Sequence, residues 1–262
     1  MSAPLSLGPA LREMGLAALR WLAGWLRIVL LGAEILALVF SPASYRGERR
    51  ASLLQQIYRA TAPSLLWFTV LTSLLSLVLI RIVVVTAQSY GLSQYALEMV
   101  VRVLVLELIP LIATLFVAVR YSVPRATELY EGRAAGGVAA QGSQAPDLLP
   151  SVLAGMVAVL TLAALSCLVS LVLAYLTVYG FSSAAFMTYT RIVGHVFNPA
   201  VTLILCLKTL FFSLAVSLVP ISVALREPPR PLSRTSLELQ GLIRMFVVLL
   251  AVEVASLVGN YY

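Results

Sequence analysis

The sequence predicts an all-α polytopic membrane bundle: an N-terminal interfacial amphipathic helix followed by five transmembrane helices. Three observations lead there. Hydrophobic residues make up 61% of the chain and charged residues 11%, against about 45–50% and about 25% in soluble domains. The apolar residues fall in long runs rather than narrow stripes, and mean hydropathy is +0.98, the pattern of membrane-spanning helices. The arginines concentrate in alternate connections between these runs, as cytoplasmic loops require. That placement also accounts for the net charge of +7. No basic cluster carries the interleaved aromatics of a nucleic-acid surface, so nucleic acid is not an expected partner.

The N-terminal helix region covers residues 1–45. Leu11, Leu16, Leu19, Leu22, Trp25 and Leu26 alternate with Arg12, Arg20 and Arg27 at helical spacing. A helix so patterned lies in the interface, with Trp21 and Trp25 at headgroup depth. The apolar stretches around 28–31 and 35–40, followed by SPAS, also resemble the end of a signal peptide, but Glu34 interrupts them.

The remainder, residues 46–262, divides into spans at 62–87, 96–119, 149–178, 196–225 and 242–258. The first is long enough, at about 1.5 Å per residue, to cross about 30 Å of hydrocarbon. Segments 41–61, 120–148 and 226–241 carry Arg46, Arg49, Arg50 and Arg59, then Arg120, Arg125 and Arg133, then Arg226, Arg230 and Arg234. The alternate segments carry only Arg191. The N-terminus is therefore expected in the cytoplasm and the C-terminus outside, with cytoplasmic loops at 120–148 and 226–241. Within the first of these, YSVPRATELYEGR can hold a short helix from Ala126, and the Gly-rich GRAAGGVAAQGSQAP is expected to be flexible. The Pro-rich REPPRPLSR reads as a stiff spacer.

Chemistry-bearing motifs are absent from the sequence. There is no H-E-x-x-H, G-x-S-x-G or P-loop, so no catalytic residue is expected and any ATP hydrolysis belongs to another chain. Cys167 and Cys206 sit in apolar runs without C-x-x-C or ligand spacing, and His195 has no second histidine near it. The thiols read as small buried hydrophobes, and neither metal nor cofactor is expected.

Ionisable residues inside the spans are more informative. Glu98 and Arg102 stand four apart and form a local pair, and Arg81 can snorkel outward. Glu107, Lys208 and Glu253 lie mid-span on helices two, four and five, and Lys208 is the only lysine in the chain. Charges at that depth face a bundle interior or a wet cavity. They can form a structural network that only fixes packing, or line a polar pocket for a headgroup or ion. Pro110, three residues after Glu107, kinks its helix and opens space beside it in either case.

The stretches RRASLLQQIYRATAPSLLWF, LELIPLIATLFVAVRYSVPRATEL and LKTLFFSLAVSL resemble the MlaE (YrbE-type) family, permease subunits of ABC transporters that move lipid with MCE-domain partners. The family's L-Y-x-x-G corresponds to Ile57–Thr61, with Tyr58, and its R-E-L-G-P to Leu106–Pro110; Lys208 and Glu253 match its later lysine and acidic residue. The resemblance covers about Arg49 to the C-terminus. It implies a dimer, with itself or a sister permease, in the bacterial inner membrane. Helices one, two and five would enclose a lipid pocket below a periplasmic MCE ring, and a cytosolic ATPase would dock on the loop between the second and third spans. The lipid-pocket residues implied are Glu107, Pro110, Lys208 and Glu253, and the coupling-loop residues are Arg120, Ser122, Arg125 and Glu128.

The chain departs from the family pattern in defined places. Leu106 and Ile109 replace Arg and Gly of R-E-L-G-P. The run after the second span keeps only Arg120, Ser122 and Glu128, and the Gly-rich segment stands where the family has a coupling helix. SLVLIRIVVV, with Arg81, replaces the family's late first-span glycines and Gln. The membrane core is retained and the ATPase-facing surface diverges. Three functions are consistent with this: a divergent lipid permease subunit, a structural subunit anchoring the same kind of complex, and an ion-coupled carrier. Too few spans and no inverted repeat disfavour the carrier.

Overall fold

The computed structural model describes residues 26, 28–35, 37, 48–92, 95–134, 145–225 and 233–261. Helices α1 (Glu48–Ser89), α3 (Ala145–Tyr179), α4 (Phe186–Val196), α5 (Pro199–Ala224) and α6 (Arg234–Tyr261) are regular. Between α1 and α3 runs α2, built of consecutive segments: α-helical Ala96–Val100, π-helical Val101–Leu108, α-helical Ile109–Val117, π-helical Ala118–Ser122 and α-helical Val123–Ala134. Among the described residues there is no strand. Five helices are long and apolar enough to cross a membrane: Ala51–Ser89, Ala96–Arg133, Leu148–Tyr179, Pro199–Ala224 and Arg234–Gly259. The expected interfacial helix falls mostly outside the described residues, Trp21 and Trp25 included. Its described part is helical at residues 28–35 and docks on the bundle, where Ile35 is fully buried with Leu149, Val152 and Leu218.

Each π segment of α2 ends two residues before a proline, Pro110 or Pro124. A proline ring clashes with the carbonyl four residues back and cannot donate to it. A wider turn moves that carbonyl aside, so the helix passes both prolines without ending. The second span therefore continues past Val119 to Ala134, where the sequence suggested a loop with a helix starting only at Ala126.

Other boundaries have local causes. α1 ends in a Schellman arrangement: Gly91 has φ 70°, Leu92 N–H donates to Ala87 O at 2.8 Å, and Gly91 N–H donates to Gln88 O at 3.1 Å. The run expected as a fourth span from 196 instead begins at Pro199, capped by the Asn198 side chain, which accepts from Val201 N at 2.8 Å. His195 thus sits exposed in the last turn of α4, not in a loop. Tyr175, Tyr179, Phe186 and Tyr189 cluster at this end, with Tyr189 donating to Leu171 O at 2.8 Å. Such an aromatic cluster suits a membrane interface.

The helices pack through small residues. α1 buries Ala60, Ser64, Phe68, Thr72, Ser76, Ile80 and Val84, a four-residue stripe against α3, its most extensive neighbour. Ser76 and Ser170 share a 2.7 Å hydrogen bond across that seam. At the α3–α5 crossing a Cβ on Gly155 would lie 2.6 Å from Ser217 Oγ, so a larger residue there would force the Ser217 hydroxyl to turn away. The opposite side of α1 presents Leu65, Leu66, Trp67, Val70, Leu71 and Leu74.

Candidate functional site

Lys208 lies near the middle of α5, with its side chain 1% exposed, between α2 and α6. Its Nζ pairs with a Glu107 carboxylate oxygen and, at 2.9 Å, with Glu253 Oε2. It also donates to Leu106 O at 3.4 Å and stands 5.6 Å from the centre of the Phe212 ring. An ammonium has three donors, and three acceptors surround this one. The third exists because of Pro110: lacking an N–H, the proline cannot satisfy the Leu106 carbonyl four residues back. The lysine thus serves both the proline's orphaned carbonyl and the carboxylate beside it. Two carboxylates against one ammonium leave the fully ionised cluster at net −1. Both glutamate side chains are 17% exposed, each with an edge beyond the dry contact.

The structure brings Glu107, Lys208 and Glu253 into contact, and gives Pro110 a different outlook. Lys208 forms part of the wall of an otherwise apolar groove of about 670 Å³ between α5 and α6, with Ile204, Phe211, Val248, Val252 and Ser256. Pro110 instead lines an apolar cavity of about 550 Å³ between α3 and α5, with Cys167, Cys206 and Thr209. Cys206 is exposed there, contrary to the buried thiol expected, because that face of α5 has no helix against it in the single chain. Cys167 is partly buried, its Sγ 3.7 Å from Val105 O.

The remaining sequence candidates separate by depth. Glu98 and Arg102 pair at 3.0 Å. Arg81 is exposed on α1, with no partner among the described residues. Of the residues expected in a coupling loop, all of which lie in the helical end of α2, Ser122 is buried by the Gly155–Ser217 crossing. Arg120 is exposed, and Arg125 pairs with Glu128 at 2.9 Å.

Sequence reasoning missed a second polar network around Arg125. Arg125 Nε donates to Ser151 Oγ at 3.2 Å, Ser151 Oγ donates to Gln56 Oε1 at 2.9 Å, and Tyr121 OH reaches Ser151 O at 3.4 Å. These join α1, α2 and α3. A further link ties the end of α2 to α6, where Thr127 donates to Glu238 and Arg234 lies 3.8 Å from Glu131. No sequence signal joins Gln56 to Ser151, 95 positions apart.

Membrane-length helices packed through small residues around a desolvated lysine–carboxylate cluster, beside an apolar groove, define an integral membrane protein of the permease class. The family model described as Permease MlaE matches residues 53–258. The chain belongs to the MlaE permease family, a family of lipid-transport permeases. No curated protein matches it.

Proposed function

We propose that this chain is the membrane-spanning permease subunit of a lipid ABC transporter, moving phospholipid between the inner membrane and the periplasm. It works as a dimer, with itself or a sister permease, beneath a periplasmic MCE-domain protein and above a cytosolic ATPase that supplies the hydrolysis. Its N-terminus is cytoplasmic and its C-terminus periplasmic. The observation that carries this reading is Lys208 set in the wall of the α5–α6 groove. An elongated apolar groove with a single charged group suits acyl chains with a polar head nearby. Glu107 and Glu253 pair with that lysine, and Pro110 frees the carbonyl that completes its coordination.

One test is purification of the chain with its co-expressed partners. Bound phospholipid and a co-purifying ATPase stimulated by lipid are the expected result. Transport that persists without any ATPase and follows the proton gradient overturns it.

A second reading is an anchoring subunit of the same kind of complex without its own transport role. The near-complete burial of Lys208 favours it, since all three donors are already engaged. The triple variant Lys208→Met/Glu107→Gln/Glu253→Gln, which removes the buried charges together, separates the two: lost transport with intact assembly supports the pocket role, and retained transport supports the anchoring role.

A further inference from the structure

Where α1 and α2 approach the start of α3, they enclose a polar cavity of about 270 Å³ lined by Gln56, Arg59, Arg120, Tyr121, Arg125 and Glu128. We propose that this cavity binds a phosphate group, supplied by the headgroup of an anionic lipid in the adjoining leaflet.

The charge count is the first support. Three arginines face one carboxylate, Glu128, which is taken by Arg125 at 2.9 Å. Arg59 and Arg120 have no hydrogen-bond or ion-pair partner among the described residues, so the cavity carries a surplus of two positive charges. The second support is that the third arginine is held in place. Ser151 and Glu128 fix the Arg125 guanidinium, and Ser151 is itself anchored to Gln56. Guanidinium groups grip phosphate oxygens through paired N–H donors. The volume is below the roughly 300–1,000 Å³ of a site that swallows a whole ligand, which suits a headgroup whose tails stay outside. A path for those tails is present: Tyr58 beside Arg59, and Leu65, Leu66, Val70 and Leu74 beyond it along α1, are exposed. Basic pockets between helices on the cytoplasmic side are established binders of anionic headgroups.

The proposal rests on the membrane orientation given under the proposed function. The full chain, purified in detergent, is incubated separately with phosphatidylglycerol, phosphatidylcholine and inorganic phosphate, and native mass spectrometry counts the molecules retained. Phosphatidylglycerol is expected to be retained in preference to phosphatidylcholine, with Arg59→Gln/Arg120→Gln retaining it roughly tenfold less or weaker still. Arg59→Lys/Arg120→Lys, which keeps the charge without the fork, should fall between. Inorganic phosphate held alone, and lost in the Gln variant, assigns the same site to a soluble phosphate. Equal retention of phosphatidylglycerol by the wild type and a Gln variant with an unchanged unfolding midpoint overturns the proposal. If that double variant fails to fold, Arg120→Gln alone carries the comparison, with the same two outcomes. Access of a membrane-impermeant thiol reagent to Ser233→Cys, in a Cys167→Ser/Cys206→Ser background and in sealed vesicles, reads the orientation separately, so a wrong orientation and an absent phosphate site give different results.

Discussion

Two groups of charges in this molecule are built from similar side chains and solved in opposite ways. Around Lys208 the charges are dry, and every donor of the ammonium meets an acceptor. Around Arg59 and Arg120 the charges are exposed and outnumber their carboxylates. The difference follows from the medium. In hydrocarbon an uncompensated charge costs several kcal/mol, so the mid-span group must be closed by the chain itself. At the membrane edge water compensates the surplus cheaply, and the surplus can be kept for a ligand. The first group therefore reports on assembly of the bundle, and the second on what the bundle meets.

The largest expected effect comes from opening the dry group. Lys208→Ala leaves Glu107 and Glu253 facing each other without a cation, and removing one partner of a buried ion pair costs about 3–5 kcal/mol. The unfolding midpoint of the detergent-solubilised chain should fall steeply. The triple variant Lys208→Met/Glu107→Gln/Glu253→Gln should recover most of that loss, because no uncompensated charge remains. If the triple variant is no more stable than Lys208→Ala, the cost lies in lost packing and the electrostatic contrast fails.

Next comes Glu253→Gln. Lys208 keeps Glu107 and the Leu106 carbonyl, and the glutamine oxygen still accepts from the ammonium. The loss is the charge assistance of one bond, about 1 kcal/mol, offset in part because the surplus negative charge is removed. Thermal unfolding at low and high salt checks it: the cost should barely change with salt, since buried pairs are poorly screened. A strong salt dependence would show that water reaches the cluster, moving it toward the exposed class.

The same contrast explains what was legible in the sequence. Hydropathy located five spans, because each must be apolar over a bilayer's thickness whatever its neighbours do. It also exposed Glu107, Lys208 and Glu253, because ionisable residues at that depth stand out against Leu and Val. Their similar depth suggested a contact, and the structure makes it. The edge network was not legible. Gln56, Tyr121 and Ser151 are ordinary residues for a membrane boundary, and only the packing of α1 against α3 joins them. The continuation of α2 was hidden for another reason. The stretch after Val119 is charged, so hydropathy ended the span there, and the π turn that lets the helix pass Pro124 has no composition of its own.

At the edge, Arg125→Ala is expected to cost less than Lys208→Ala. Its pair with Glu128 is exposed enough to contribute about 0–1 kcal/mol, and its bond to Ser151 adds about 0.5–1.5 kcal/mol. Urea unfolding should register a modest shift. A loss as large as that of Lys208→Ala would place Arg125 among the structural charges and remove the division between the two groups.

The smallest effect tests whether burial, rather than membrane location as such, sets the scale. Glu98 and Arg102 lie within a spanning helix, yet their side chains are 29% and 32% exposed. They are four residues apart on one helix, and such pairs contribute about 0.3–0.5 kcal/mol, less in high salt. Glu98→Gln should therefore shift the unfolding midpoint by little, and the shift should vanish as salt is raised. Glu253→Gln, also within a spanning helix but nearer its middle, should not behave so. If the two substitutions cost the same and respond alike to salt, then closure by three acceptors does not distinguish Lys208, and the cluster is one more local pair. If they differ as expected, the distinguishing feature is the convergence of α2, α5 and α6 on one ammonium, which is available only to the assembled bundle.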